Sequence, residues 1–397
     1  MNTPTFPGSL ARADWPKREG LAALTAALGI ENVRFVGGAV RDTLLGAEVH
    51  DVDCATPLLP DTVMDRCKQA GIRVVPTGID HGTVTAVFDD GPVEITTLRH
   101  DVSTDGRRAT VAFASEWRED AARRDFTINA LYAHPETLEI SDYFGGLDDL
   151  AARRVRFIGD PHERIAEDHL RILRYYRFQA RFGAELDHEA EEACAELADT
   201  LKGLSRERVS DELLRLLALP DPGQTVERMY NRAVLRVILP ETGLRHVELL
   251  RDLIERESAQ GFAADPLRRL AALLPPSPDV AEIVSARLRL SKAQRALLVA
   301  TAERLGRDTD DIHALAYTEG NAVAINRLLL LGSDAQPLRD WEAPVFPLKG
   351  GAIVERGVEA GPQVARILKA VERRWVAEDF PDATRVAEIL EEEISSG

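Results

Sequence analysis

Only three cysteines, Cys54, Cys67 and Cys194, occur in 397 residues. They are too few and too scattered for a disulfide framework, and the absence of any CxxC pair argues against a structural zinc site. Long apolar runs are missing too. No stretch of 18 or more apolar residues appears, so no membrane span is expected, and the opening MNTPTFPGSLARADWPKREG lacks the apolar core of a secretory signal. These absences point to a cytoplasmic enzyme or binding protein. Cations are in deficit as well. Lys and Arg number 49 against 66 Asp and Glu, a net charge of −17, which at first sight speaks against a nucleic-acid partner.

Distribution qualifies that sum. From Ala151 to Phe182 there are eight Arg against four acids, a local +4, whereas from Val376 onward seven acids face the single Arg385. A basic strip inside an acidic chain can still hold a polyanion. The length exceeds what one core supports, so two or more domains are expected.

Periodicity divides the chain. Lys17 to Leu28 carries Leu21, Leu24, Ala27 and Leu28 on one face of a helix, and NVRFV at 32–36 reads as a strand entering Gly37-Gly38. AVRDTLLG at 39–46 and Pro60 to Ala70 read as helices, and Thr83 to Phe88 with Val93 to Leu98 as a hairpin around DDGP. Past residue 160 helical periodicity dominates, over Glu163 to Phe182, Glu189 to Lys202 and Arg206 to Leu219. Pro220, Pro222 and LPPSP at 274–278 mark breaks. The expected class is α+β, with a mixed head at 1–145, a helical neck at 146–220 and a helical body and tail at 221–397.

The chemistry begins at GGAVRD, 37–42, and DVD, 51–53. On a strand, residues i and i+2 share a face, so Asp51 and Asp53 can converge on one point. Two such charges repel unless a cation joins them, and hard oxygen ligands favour Mg²⁺. The alternative is a pair of turn or capping acids. Gly37 and Gly38 at a strand end permit close backbone approach to a phosphate, with Arg41 one helical turn on. Together they describe a triphosphate held by backbone and arginine, with metal on the aspartates. Glu94, on the second hairpin strand, is a candidate third carboxylate or a solvent-facing strand acid. Asp42 reads as a support for Arg41 or a helix acid rather than a metal ligand. Cys54 reads as packing behind the site, and His50 is set aside as a base because an aspartate can take the proton.

GGAVRDTLLG…HDVDCAT, RRDFTINALY at 123–132 and EDHLRILRYYRF at 167–178 together resemble the class II tRNA nucleotidyltransferases, the CCA-adding enzymes and their bacterial poly(A) polymerase relatives, members of the polymerase-β nucleotidyltransferase superfamily. The resemblance runs from about Arg34 to about Leu214 and is thin beyond residue 220. It implies a polymerase-β-like head, Asp51 and Asp53 as the catalytic metal pair, and Gly37, Gly38 and Arg41 in the triphosphate cradle. It implies that Asp125 accepts a hydrogen bond from the ribose 2′-OH, with Arg124 and Asn129 assisting at sugar and phosphate. On the residues alone, RRD at a helix start is a cap with neighbouring charges.

Asp168 and Arg171, three apart on the expected helix, are either a surface ion pair or, as the resemblance implies, a protein template for the incoming base. Arginine can donate to a ring nitrogen while aspartate accepts from the adjacent amine. Cytosine and adenine present that order, and uracil and guanine the reverse. Arg174 and Arg177 would add phosphate contacts. Residues 97–122 read as a mobile loop, which in the family accompanies the switch from C to A addition, with Arg99 and Asp101 as a hinge pair or as plain strand-end charges. SRERVSDELLRLL at 205–217 resembles the family's neck helix. The tail shows Gly351, Ala352, Ile353 and Val354 where the family pattern has Gly-x-Asp-Leu. The implied activity is addition of C, C and A from CTP and ATP to the 3′ end of tRNA, with release of pyrophosphate. A poly(A) polymerase and a non-catalytic RNA-binding protein on the same scaffold are the alternatives.

Overall fold

The computed structural model describes residues 5–105 and 108–395, with the backbone alone at residues 80 and 100–112. The chain divides into two compact units, Met1–Leu213 with Arg228–Ile238, and Leu214–Glu227 with Leu239–Gly397.

The first unit is built on a seven-stranded sheet of order β3-β4-β5-β2-β1-β8-β9. Its strands are β1 (Arg34–Val36), β2 (Val52–Thr56), β3 (Arg73–Gly78), β4 (Thr83–Val87), β5 (Val93–Thr97), β8 (Leu131–Ala133) and β9 (Ile140–Asp142). β2 and β5 run parallel, and the other neighbours are antiparallel. The parallel register sets Asp53 beside Glu94, and the antiparallel one sets Val36 beside Asp53. Alternation explains the hairpin, since Val84 and Ala86 on β4 and Val93, Ile95 and Thr97 on β5 are buried. β3 holds Pro76, which its edge position and a register shift between Val75 and Gly78 allow.

Helices α1 (Glu19–Leu28), α2 (Gly38–Leu44) and α3 (Pro60–Gln69) accompany the sheet. α1 buries Leu21, Leu24 and Leu28, the spacing of one helical face. Within 97–122, where a mobile loop is expected, the described residues include two strands and a helix. β6 (Arg99–Asp105) and β7 (Arg108–Phe113) pair as a separate hairpin, and α4 (Trp117–Ala122) follows. The side chain of Asp101, one half of the expected hinge pair, lies outside the described residues.

Beyond β9 come α5 (Gly146–Ala151), α6 (Pro161–Glu167), α7 (Arg171–Phe182), α8 (His188–Glu196) and α9 (Arg206–Leu217). Periodicity predicts one helix over 163–182, and the structure corrects this to two. Asp168 is extended (φ −149°, ψ 103°), its Oδ1 accepts the Leu170 N–H at 3.1 Å, and the chain restarts as α7. A short carboxylate offers the backbone an alternative to the helical bond, and here that alternative wins.

Helices continue as α10 (Gly223–Asn231), α11 (Leu235–Ile238), α12 (Leu244–Gln260), α13 (Pro266–Ala272), α14 (Pro278–Arg287), α15 (Lys292–Ala302) and α16 (Ile312–Glu319). The last four are α17 (Asn321–Leu331), α18 (Gly350–Val354), α19 (Pro362–Ala377) and α20 (Ala383–Ser395). Within the second unit, Glu257 is 1% exposed and takes Nε bonds from Arg268 at 2.7 Å and Arg269 at 2.8 Å. A second cluster packs Ile367, Val371 and Trp375 of α19 against Val386, Ile389 and Leu390 of α20. Among the described residues no helix is long and apolar enough to cross a membrane.

Candidate active site

β1 ends at Val36, and the chain turns at once through Gly37 (φ 71°, ψ −123°), a conformation a Cβ would strain. Gly37 sits beneath Arg124, whose Nη1 would lie 3.4 Å from an added Cβ. The turn opens a cavity of about 500 Å³ in the first unit. Its wall takes Gly37, Gly38 and Arg41 from the β1–α2 corner, Asp53 from β2, and Arg124, Asp125 and Asn129 from RRDFTIN. The α6–α7 junction and α7 add Asp168, Arg171 and Arg174. Ten of the thirteen residues expected from the sequence therefore meet at one hollow.

The aspartates differ sharply. Burial pushes the Asp53 carboxyl up to about 6, helped by the charges of Glu94 and Asp51 and opposed by Arg124. Asp51 precedes β2 and is exposed, as is Glu94. Among the described residues no three His, Cys, Asp or Glu side chains cluster closely enough to hold an ion. Glu94 acts on Asp53 as its sheet neighbour. A part-buried carboxylate with two acidic neighbours is short of positive charge and offers hard oxygen donors. That suits a divalent cation held by one or two carboxylates, with substrate oxygens completing its shell.

Asp125 is the opposite case. Burial alone would raise its pKa, but Arg174 and hydrogen bonds from Asn129 and the Phe126 N–H hold it at about 2. Oδ1 accepts from Phe126 N and Asn129 Nδ2, each at 2.9 Å, and Oδ2 from Arg174 Nε at 2.8 Å and Nη2 at 2.6 Å. All four acceptor positions are filled, so a ribose hydroxyl must share or displace one donor.

Arg41, 5% exposed, donates to Asp42 Oδ1 at 2.8 Å and to Asn129 Oδ1, which gives Asp42 the supporting place expected for it. Desolvation lowers the Arg41 pKa while Asp42 opposes that shift. Arg177 is absent from the wall. Its Nε donates to the buried Glu212 at 2.6 Å, so the expected phosphate contact is spent on an internal ion pair. Cys54 is packed in the core, as expected.

The expected base-reading pair is not an ion pair with itself. Asp168 Oδ2 accepts from Arg208 Nη2 at 2.7 Å. Arg171 donates to Glu167 at 2.5 Å and to the Arg164 carbonyl at 2.7 Å. Each group is oriented by a different partner, so both keep polar atoms for a third party. The supporting residues were not read from the sequence. Asp120, 1% exposed, accepts from Arg123 Nε at 2.7 Å, Arg124 Nη2 at 3.3 Å and Tyr132 Oη at 2.6 Å. The i, i+3 and i, i+4 spacing in DAARR could have revealed it, as could the i, i+4 spacing of Glu167 and Arg171. Arg208 and Glu212 act across some 40 and 35 residues and left no local signal.

A family model described as the poly A polymerase head domain matches residues 33–156, and one described as the probable RNA and SrmB-binding site of polymerase A matches 183–244. The mitochondrial CCA tRNA nucleotidyltransferase 1 of Mus musculus is 35% identical over 379 residues, 90% of this chain and 86% of that one. A CCA-adding enzyme of Streptococcus gordonii is 33% identical over 369 residues, 88% of this chain and 90% of that one. The crystal structure of the Bacillus stearothermophilus CCA-adding enzyme with CTP superposes with a TM-score of 0.75 at 25% identity, covering 96% of this chain and 99% of that one. The Thermotoga maritima enzyme with tRNA shares the fold at a TM-score of 0.71 and 20% identity, over 95% of both chains. With that likeness spanning both units, and the GG, DVD, RRD and EDHLR residues gathered at one cavity, the chain belongs to the CCA-adding tRNA nucleotidyltransferase family, enzymes built on the poly(A) polymerase head.

Proposed function

We infer that this enzyme transfers CMP and AMP from CTP and ATP to the 3′ end of tRNA lacking all or part of its CCA, releasing pyrophosphate, without a nucleic-acid template. The observation that carries the reading is the placing of Asp168 and Arg171 on the wall of the cavity that also holds Gly37, Gly38 and Asp53. A base and a triphosphate then fit one hollow.

The chain's residues divide the work. The Gly37-Gly38 corner lets phosphate oxygens approach the backbone, and Arg41 and Arg124 supply positive charge beside it. Asp125 and Asn129 would face the sugar, where the carboxylate, held anionic, accepts from a 2′-OH that shares or displaces one of its present donors. Arg171 donates to cytosine N3 or adenine N1, and Asp168 accepts from the adjoining amine. Uracil and guanine would set donor against donor, and the part-buried polar groups left unpaired add to that rejection. Mg²⁺ held by Asp51 and Asp53 would neutralise triphosphate charge and make the tRNA 3′-hydroxyl a better nucleophile. Asp53 would take that hydroxyl's proton as its oxygen attacks the α-phosphorus and pyrophosphate leaves.

The same reading assigns residues 1–145 to the head, 146–220 to a nucleotide-selecting neck and 221–397 to the grip on tRNA. Supporting the last, Arg366, Lys369 and Arg373 of α19 border a hollow of about 650 Å³ with Tyr317, Thr318 and a single acid, Glu372, a net cationic lining on an acidic chain. A cytoplasmic location accords with three unpaired, buried cysteines.

The test offers each labelled nucleoside triphosphate singly to wild type and to Asp168→Ala on tRNA ending before its CCA. CTP alone should be accepted by the wild type, with ATP accepted once two C are in place. The variant should lose at least about 10²-fold in CTP use and most of its discrimination against UTP. Equal use of all four nucleotides by the wild type would reject the reading.

A further inference from the structure

Phe178 and Phe182 stand one turn apart on α7, and arginines crowd their faces. The Phe178 ring centroid lies 5.2 Å from the guanidinium carbon of Arg41, 5.6 Å from that of Arg174 and 4.7 Å from that of Arg177. Phe182 lies 4.5 Å from Arg41 and 4.8 Å from Arg181. Arg41, from the glycine corner, is thus held between two rings of a helix more than 130 residues away. Phe178 is itself pinned, with its centroid 5.2 Å from Phe126 and 5.7 Å from Phe182.

Each cation has a carboxylate at its edge: Asp42 for Arg41, Asp125 for Arg174 and Glu212 for Arg177. Those polar contacts hold the guanidinium edges, two or more bonds to each group, and say nothing of what backs its flat face. The ring face supplies that backing, since a cation over an aromatic quadrupole is held in plane as well as in place. Three guanidinium groups lie within reach of this one ring, which is only 5% exposed and so offers a nucleobase little surface. Its value to the cavity it borders is therefore to the arginines. Arg41 Nη2 would lie 3.7 Å from a Cβ on Gly38, so the held group faces the glycine corner.

We propose that Phe178 is a positioning residue for the nucleotide. Its ring sets Arg41 toward Gly37-Gly38 and Arg174 against Asp125, so that the triphosphate and ribose meet cations already in place. This rests on the reading of the cavity as a nucleoside triphosphate site. A leucine would fill much of the same apolar volume at modest cost to packing but offers no face to a cation.

The experiment replaces Phe178 with singly, doubly and triply fluorinated phenylalanine in the full chain, alongside Phe178→Leu and Phe178→Tyr. Fluorine drains electron density from the ring face and barely changes its size. KM for CTP and for ATP should rise with each fluorine, reaching about tenfold for the triply fluorinated ring and for leucine. kcat, KM for tRNA and melting temperature should change little, and tyrosine should retain near wild-type KM. A flat series, or kcat and melting temperature falling together at unchanged nucleotide KM, would reduce Phe178 to core packing and overturn the proposal. A wild type that incorporates no nucleotide would overturn it together with the reading beneath it, whereas an active wild type with a flat series fails the ring alone.

Discussion

Asp53 and Asp125 border one cavity in opposite electrostatic states, and the difference predicts how each fails when changed. Asp53, pushed up to about 6 by burial and by Glu94, is a carboxylate waiting for a cation. Asp53→Asn should cut incorporation by at least about 10²-fold while leaving tRNA affinity within about twofold, because little of the fold rests on it. Filter binding beside a single-turnover assay reads both; parallel loss of affinity would mean that Asp53 is structural. Asp125 is held at about 2 by Arg174 and its hydrogen bonds, despite burial. A depressed carboxylate pKa contributes stability above the unfolded value near 3.8 and loses it as pH falls through about 2. Wild type should therefore exceed Asp125→Asn by roughly 2 kcal/mol at pH 7, with the gap shrinking between pH 4 and pH 2. Urea unfolding across that range checks it, and a gap that stays constant would contradict the assignment.

At the scale of elements, the break between α6 and α7 sets the geometry of Asp168 and Arg171, the pair proposed to read the base. A continuous helix would carry Asp168 and Arg171 on one face, within reach of each other. The break turns Asp168 to Arg208 and leaves Arg171 with Glu167. Arg208→Ala should free Asp168 and raise UTP misincorporation relative to CTP by about tenfold, with folding retained; competition between labelled CTP and UTP measures it. The hairpin β6–β7 occupies the segment that in the family accompanies the change from C to A. Replacing residues 100–112 with a short turn should preserve C addition and abolish A addition, visible as products that stop at CC. Much of this architecture was legible in the chain. α1, α3 and the β4–β5 hairpin follow from periods of 3.6 and 2, and the glycine corner and DVD from residue type. β8 was not, because Leu131–Ala133 is buried on both faces and lacks alternation. β3 carries a proline that argues against a strand until its edge position is known. The break at Asp168 interrupts apolar spacing that continues on either side of it. Among site residues, those acting through type and local spacing could be named. Arg208, Glu212 and Phe178, whose roles arise from packing across the fold, could not.

The whole molecule must bind an RNA with a surface of the wrong average sign, so its cations have to be grouped. Eight Arg lie between Ala151 and Phe182, and the second unit gathers Arg366, Lys369 and Arg373 on α19. Arg374, next along that helix, is already engaged by Glu378, Glu392 and Glu393. Changing Arg366, Lys369 and Arg373 together to glutamine should raise KM for tRNA by about tenfold or more, leave KM for CTP alone, and flatten log affinity against log salt by roughly 2 to 3. An unchanged salt slope would place the tRNA elsewhere. The central claim, that one cavity adds C, C and then A and stops, is met most directly by product length. Wild-type enzyme, Mg²⁺, CTP and ATP are given to tRNA lacking CCA, lacking CA and lacking A, and the products are resolved at single-nucleotide resolution. Extension by three, two and one nucleotides, all arresting at the same CCA end, is the predicted result; long ATP-only tails would contradict it.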